Sequence, residues 1–241
     1  MPQQQNIIVA LDVDSLEKAQ KYADQLRDTD VIFKIGNQLG TYEGWKKCID
    51  FARSYGARIF CDTKFKDIPE TVQLSARAIT RLEPDMFNIM ADTDPAALRA
   101  AVAGIDSAVA DYGVARPIIL GVTVLTSYGD EVCRSIYGAD AAEKVLQFAT
   151  SAAQAGLDGV VCSAKEAAML RAHDATKDLL LVTPGIRPTW AVSGDQSRIL
   201  TPAQAIANGA DYLVVGRPIT QPPSEIGSPR NALQKIIEEI S

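Results

Sequence analysis

The chain has a single histidine, His173, and it sits in the polar stretch RAHDATKD of residues 171–178, where a solvated side chain is expected rather than a catalytic one. Its four cysteines, Cys48, Cys61, Cys133 and Cys162, are far apart and form no C-x-x-C pair. Grouped histidines and cysteines are the usual zinc donors, so no dedicated metal site is expected. Cys61 and Cys162 fall inside apolar runs, the setting of reduced core thiols, which fits a cytoplasmic location. No apolar run approaches the roughly 20 residues of a membrane span. The opening MPQQQNIIVALDV enters its apolar run without basic residues or a small-residue cleavage pattern, so no secretory signal is expected there. Basic residues form no block and the formal net charge is -6, which argues against a nucleic-acid partner. A small anion stays compatible, because a few local cations and helix N-termini suffice to hold a phosphate.

Against these absences stands a hydrophobic content of 47% in 241 residues, enough to bury the core of one large α/β domain or two small ones. The apolar residues come in short runs that each lead into an amphipathic stretch. Strands are predicted at 7–11, 31–35, 57–61, 86–90, 118–124, 159–162, 179–182 and 212–215. Helices are predicted at 15–26, 42–55, 70–82, 95–102, 141–155, 165–171, 203–208 and 231–240, with a long polar connection after the fifth strand. Short strands that do not alternate with polar residues, joined by helical crossovers, imply a parallel sheet covered on both faces. Eight such units in this length fit a closed single-domain (β/α)8 TIM barrel better than an open doubly wound sheet. No linker or change of composition divides the chain, so one domain spanning 1–241 is expected.

Barrel enzymes keep their chemistry at the C-terminal ends of the strands. Here those ends carry Asp12, Lys34, Asp62, Thr126, the turn at 185–187 and the Gly216-Arg217 pair. Densest is ARIFCDTKFKDIPETV at 57–72, which places Asp62, Lys64 and Asp67 behind an apolar strand. If the strand persists, Asp62 and Lys64 point the same way. Carboxylates around Lys64 would then hold it as an ammonium ion, a poised proton donor. A purely structural account makes the run a solvated turn, with Asp67 near the N-cap of the helix that Pro69 opens.

Lys34, alone in the apolar VIFKIG, needs a partner, and Asp12 and Asp62 on neighbouring strands are the natural ones. TPGIRPTWAVSGDQ at 183–196 is too long and too rich in Gly and Pro for an ordinary connection, and its place after the seventh strand suits phosphate. It offers Gly185, Arg187, Gly194 and Gln196, with Trp190 riding on it. Gly216 and Arg217 in VVGRPIT add backbone N–H groups and a fork-shaped cation. Thr126 and Ser127 in GVTVLTSYG either bond the polar edge of a ring or cap a turn.

These motifs, DTKFKDIPETV, TPGIRP with GDQ, VVGRPIT, ALD at the first strand and FKIG at the second, resemble orotidine 5′-phosphate decarboxylases over nearly the whole chain. The resemblance implies decarboxylation of orotidine 5′-phosphate to uridine 5′-phosphate, the last step of pyrimidine biosynthesis, with no metal or organic cofactor. It implies Lys64 as donor to the ring carbon, within an alternating chain of Lys34, Asp62, Lys64 and Asp67. It implies a homodimer in which Asp67, Ile68 and Thr71 act across the interface. Asp12 and Lys34 would bind ribose, Thr126 and Ser127 would lie near the pyrimidine, and Arg187, Gln196, Gly216 and Arg217 would enclose the phosphate. Lys66 stands where family members often have histidine, and NIMADTD at 88–94 lacks the family's usual histidine and glycine pair. Rival readings are a metal-dependent sugar-phosphate aldolase or decarboxylase, whose shared D-x-K-x-x-D comes with an acid where this chain has Lys34, and a non-catalytic nucleotide-binding protein.

Overall fold

Stiff, β-branched apolar runs become strands wherever both faces can be covered, and this chain supplies eight of them. The computed structural model describes residues 6–191 and 200–241. Its strands are β1 (Ile7–Ala10), β2 (Ile32–Gly36), β3 (Arg58–Phe65), β4 (Met86–Met90), β5 (Ile118–Val122), β6 (Gly159–Val161), β7 (Leu180–Thr183) and β8 (Tyr212–Val215). All pair in parallel, in sequence order, and β8 closes on β1, giving a single-domain (β/α)8 TIM barrel. The crossovers carry α1 (Leu16–Ala23), α2 (Asn37–Glu43), α3 (Trp45–Ser54), α4 (Pro69–Thr80), α5 (Pro95–Tyr112), α6 (Asp130–Tyr137), α7 (Ala141–Ala155), α8 (Ala167–Ala172) and α9 (Pro202–Ala207). After β8 come the short α10 (Arg217–Thr220) and α11 (Pro229–Ile240). Among the described residues no helix is long and apolar enough to cross a membrane.

The strands bury two distinct apolar faces. One set, including Val9, Phe33, Cys61, Phe87 and Val160, packs outward against the helices. The other, Ile8, Ala10, Ile32, Phe60, Met86, Leu120, Val182 and Val214, plugs the barrel interior. Because side chains alternate along a strand, the next inward positions above this plug are two residues on. Those positions are Asp12, Lys34, Asp62, Asn88, Val122, Pro184 and Gly216. The polar mouth is therefore the top layer of the same register that forms the core.

At the opposite end, three aspartates repeat one bond. Asp85, Asp158 and Asp211 each stand just before an even-numbered strand and accept a backbone N–H from the strand before it: Ile59 at 2.7 Å, Ile119 at 2.8 Å and Leu181 at 2.7 Å. Arg116 forks onto Asp158 at 2.9 Å, and Arg171 bonds Asp211.

Several boundaries depart from the sequence reading. The helix expected to end at 102 runs to Tyr112, through the buried Gly104 to a left-handed C-cap at Gly113. A β-carbon at Gly104 would collide with the Gln73 carbonyl of α4, so the glycine lets α4 and α5 cross closely. The polar connection after β5 contains α6, whose Cys133 is buried. Trp190, in the connection after β7, is half-buried and packs against the core.

Candidate active site

β3 runs past the predicted 57–61 to Phe65, with its pairing to β4 interrupted between Cys61 and Phe65. Lys64 lies in that irregularity with φ of 50°, a left-handed conformation that non-glycine residues seldom adopt. Asp62 and Lys64 do meet: Lys64 Nζ donates to Asp62 Oδ1 at 2.5 Å. Lys34 Nζ donates to the other oxygen, Oδ2, at 3.2 Å and to Asp12 Oδ1 at 3.0 Å. The row Asp12, Lys34, Asp62, Lys64 thus alternates in charge across the ends of β1, β2 and β3.

Burial decides what these pairs are worth. Asp62 and Lys34 are buried, whereas the Asp12 side chain is 65% exposed. Burial alone would raise the Asp62 carboxyl. The charges of Lys34 and Lys64, with hydrogen bonds from Lys64 and Asn88, outweigh it and hold the group at about 2. Burial likewise works against a charge on Lys34, and Asp62 and Asp12 reverse that, lifting it above the ordinary lysine value.

The row forms one wall of a cavity of about 490 Å³ at the barrel mouth. Val122 and Val124 from the β5 side and Val161 from β6 give it an apolar flank, and Thr126 lies at its edge. The loops after β7 and β8 bring Gly185, Arg187, Gly216 and Arg217 to the remaining side, next to β1 around the ring. Arg187 is placed by backbone: its N–H donates to the Leu200 carbonyl at 2.9 Å, and Ile186 bridges Leu200, so both ends of the long connection are pinned together. The site therefore offers an ammonium fixed between carboxylates, an apolar slot and two guanidinium groups, a combination suited to a planar ring carrying a phosphate.

Over residues 5–236 the sequence matches the family model described as "Orotidine 5'-phosphate decarboxylase / HUMPS family". The chain belongs to this family. Among curated relatives in it, the orotidine 5′-phosphate decarboxylase of Moorella thermoacetica is 41% identical, over 93% of this chain and 89% of that one. That of Syntrophotalea carbinolica is 42% identical, over 98% and 94%. The crystal structure of orotidine 5′-phosphate decarboxylase from Lactobacillus acidophilus superposes with a TM-score of 0.82 at 34% identity, covering 98% of each chain.

The structure gathers Asp12, Lys34, Asp62, Lys64, Thr126, Arg187, Gly216 and Arg217 around one cavity. Ser127 is exposed and does not line it. Gln196 and Gly194 lie outside the described residues. Asp67, Ile68 and Thr71 are exposed and do not line the cavity of their own chain. Asp67 accepts the Ile68 N–H at 2.7 Å instead of facing Lys64, and the N-cap of α4 is Ile68.

Sequence reasoning missed Asn88, set aside as part of a run outside the motifs. It is 1% exposed, lines the cavity and bonds both Asp62 and the Lys64 backbone. The signal was available: MFNIM carries a polar side chain at the centre of a buried strand, the same anomaly that drew attention to Lys34 in IFKIG.

Proposed function

We propose that this chain decarboxylates orotidine 5′-phosphate to uridine 5′-phosphate, with Lys64 delivering the proton to the ring carbon that loses the carboxylate. The observation that carries the reading is the alternation of Asp12, Lys34, Asp62 and Lys64 in a cavity that also holds Arg187 and Arg217. Loss of carbon dioxide leaves a pair of electrons in the plane of the ring, in an orbital orthogonal to its π-system, which therefore cannot spread them. An ammonium held in place before the reaction stabilises that charge as it develops, with no reorganisation. The same group then gives up its proton to the carbon, forming the C–H bond of the product. Arg187, Gly216, Arg217 and Gln196 take the phosphate, Asp12 and Lys34 the ribose, and Thr126 the pyrimidine edge. Binding energy from the remote phosphate is thereby available to order the ring against Lys64.

Asp67, Ile68 and Thr71 serve the site of a second copy in a homodimer. Their exposure at the start of α4 supports this, as does the apolar surface of Ile68 and Leu74, 64% and 58% exposed. The reaction belongs in the cytoplasm, where the four buried thiols stay reduced.

The test follows the absorbance of orotidine 5′-phosphate with EDTA-treated protein, beside Lys64→Ala. Turnover that survives EDTA and is abolished in the variant, with affinity for uridine 5′-phosphate retained, is the expected result. Substantial turnover by Lys64→Ala would sink the donor role. A requirement for magnesium would favour the sugar-phosphate reading, which the Lys34 ammonium between Asp12 and Asp62 disfavours because it takes the place of a cation. Binding of uridine 5′-phosphate without turnover would favour a nucleotide-binding protein.

A further inference from the structure

We propose that Asn88 is a positioning residue for Lys64, setting both its backbone conformation and the carboxylate it rests on. The inference deepens the decarboxylase reading and rests on it for its kinetic consequences. It starts from an anomaly of the backbone. Among the described residues only Asp28, Lys64 and Glu83 combine a side chain with positive φ. Asp28 and Glu83 lie beside helix ends, where such turns are ordinary. Lys64 lies within a strand, where the conformation costs energy and needs a reason to persist.

Asn88 supplies it from the neighbouring strand. Its Oδ1 accepts the Lys64 backbone N–H at 2.7 Å, and its Nδ2 donates to Asp62 Oδ1 at 2.6 Å. That same Asp62 oxygen accepts the Lys64 ammonium at 2.5 Å. One buried amide therefore holds Lys64 at both ends, directly at the backbone and through Asp62 at the side chain. The orientation of the amide is fixed by its partners: reversed, it would set oxygen against carboxylate and NH2 against N–H. The backbone of Asn88 is tied down in turn, its carbonyl accepting Thr63 Oγ1 at 2.6 Å. No other residue type of this size offers one donor and one acceptor in this geometry at neutral pH without adding a proton. Alanine leaves a buried N–H and a carboxylate lone pair without partners. Aspartate keeps the acceptor but puts a second carboxylate against Asp62. Like charges at that distance do not ionise together readily, so the pair retains one proton at low pH and loses it as pH rises.

The experiment compares wild type, Asn88→Ala and Asn88→Asp in three readouts: kcat against pH, affinity for uridine 5′-phosphate, and the rate at which an amine-reactive ester acylates Lys64, located by peptide mass spectrometry. For Asn88→Ala the expected result is a fall in kcat of about 10- to 100-fold, the scale of a misplaced reacting group. Product affinity should be retained, because the phosphate contacts are untouched, and Lys64 should be acylated faster. For Asn88→Asp, kcat should fall with rising pH along a limb that wild type lacks. Retained product affinity shows that each variant is folded, so a kinetic loss is not a folding loss. A kcat for Asn88→Ala within twofold of wild type, or an Asn88→Asp profile parallel to wild type, would overturn the proposal. If wild type itself fails to turn over orotidine 5′-phosphate, the decarboxylase reading falls. The acylation rates then decide the positioning claim alone, equal rates in wild type and Asn88→Ala refuting it.

Discussion

Lys34 Nζ stands 3.2 Å from Asp62 Oδ2, and both residues are buried at the top of the barrel plug. The pair makes stability depend on pH, and the sign follows from Asp62. Its carboxyl is held at about 2 in the folded chain against an ordinary 3.8, so folding favours the ionised form. The resulting stabilisation is fully present above pH ~4 and is lost as pH falls through ~2, and it amounts to about 2 kcal/mol. Urea midpoints of wild type and Asp62→Asn should therefore differ at pH 6 and converge as pH drops from about 4 to about 2. A difference that stays constant across that window would contradict the assignment.

Arg217 is exposed and lines the cavity, within reach of an anion bound there. Arg217→Ala should weaken uridine 5′-phosphate by roughly a hundredfold, the scale of a charged hydrogen-bonded contact. Uridine without the phosphate should bind wild type and variant alike. Titration calorimetry with both ligands checks the split.

Lys66 has a partner. Its Nζ lies 2.8 Å from Asp92, whose side chain is only 8% exposed and also accepts the Tyr137 hydroxyl at 3.0 Å. The contact joins the ends of β3 and β4 to α6. Lys66→Met should destabilise the chain by about 1–3 kcal/mol by leaving a buried carboxylate with a phenol alone. Lys66→His should restore most of that near pH 6, where imidazole is charged, and little of it near pH 8. Thermal midpoints of the three proteins at the two pH values test this.

Gly104 is the point where α4 and α5 touch, with the Gln73 carbonyl occupying the space a side chain would need. Gly104→Ala should cost about 1–3 kcal/mol through overpacking, in spite of alanine's better helix propensity. It should also shift α4, which carries Thr71 and Leu74, and so weaken any dimer. Denaturation and sedimentation velocity read the two effects separately, and a stabilised variant would refute the packing argument.

The barrel was legible because short non-alternating apolar runs with helical crossovers imply a covered parallel sheet, and eight of them in this length suit a closed one. Lys34 was legible for a related reason: a lone charge in an apolar strand must be paired. Asn88 carried the same signal at lower contrast, since a neutral amide disturbs a hydrophobic run less than an ammonium does. The length of α5 was hidden because a glycine within a helix reads as a terminus until the helix that crosses it is known. The left-handed Lys64 was beyond pattern reading altogether. It arises from a mismatch between β3 and β4, and no single segment encodes a mismatch between two.

The aspartates beneath the barrel bear on how the ring is assembled. Asp85, Asp158 and Asp211 fasten β3 to β4, β5 to β6 and β7 to β8, across separations of 26, 39 and 30 residues. Loops of that size cost little more entropy to close than shorter ones. Each strand–helix–strand piece thus has a clasp of its own, usable before the circle is complete. The other junctions have no such aspartate among the described residues, which makes them the natural places for the ring to open and to be recombined.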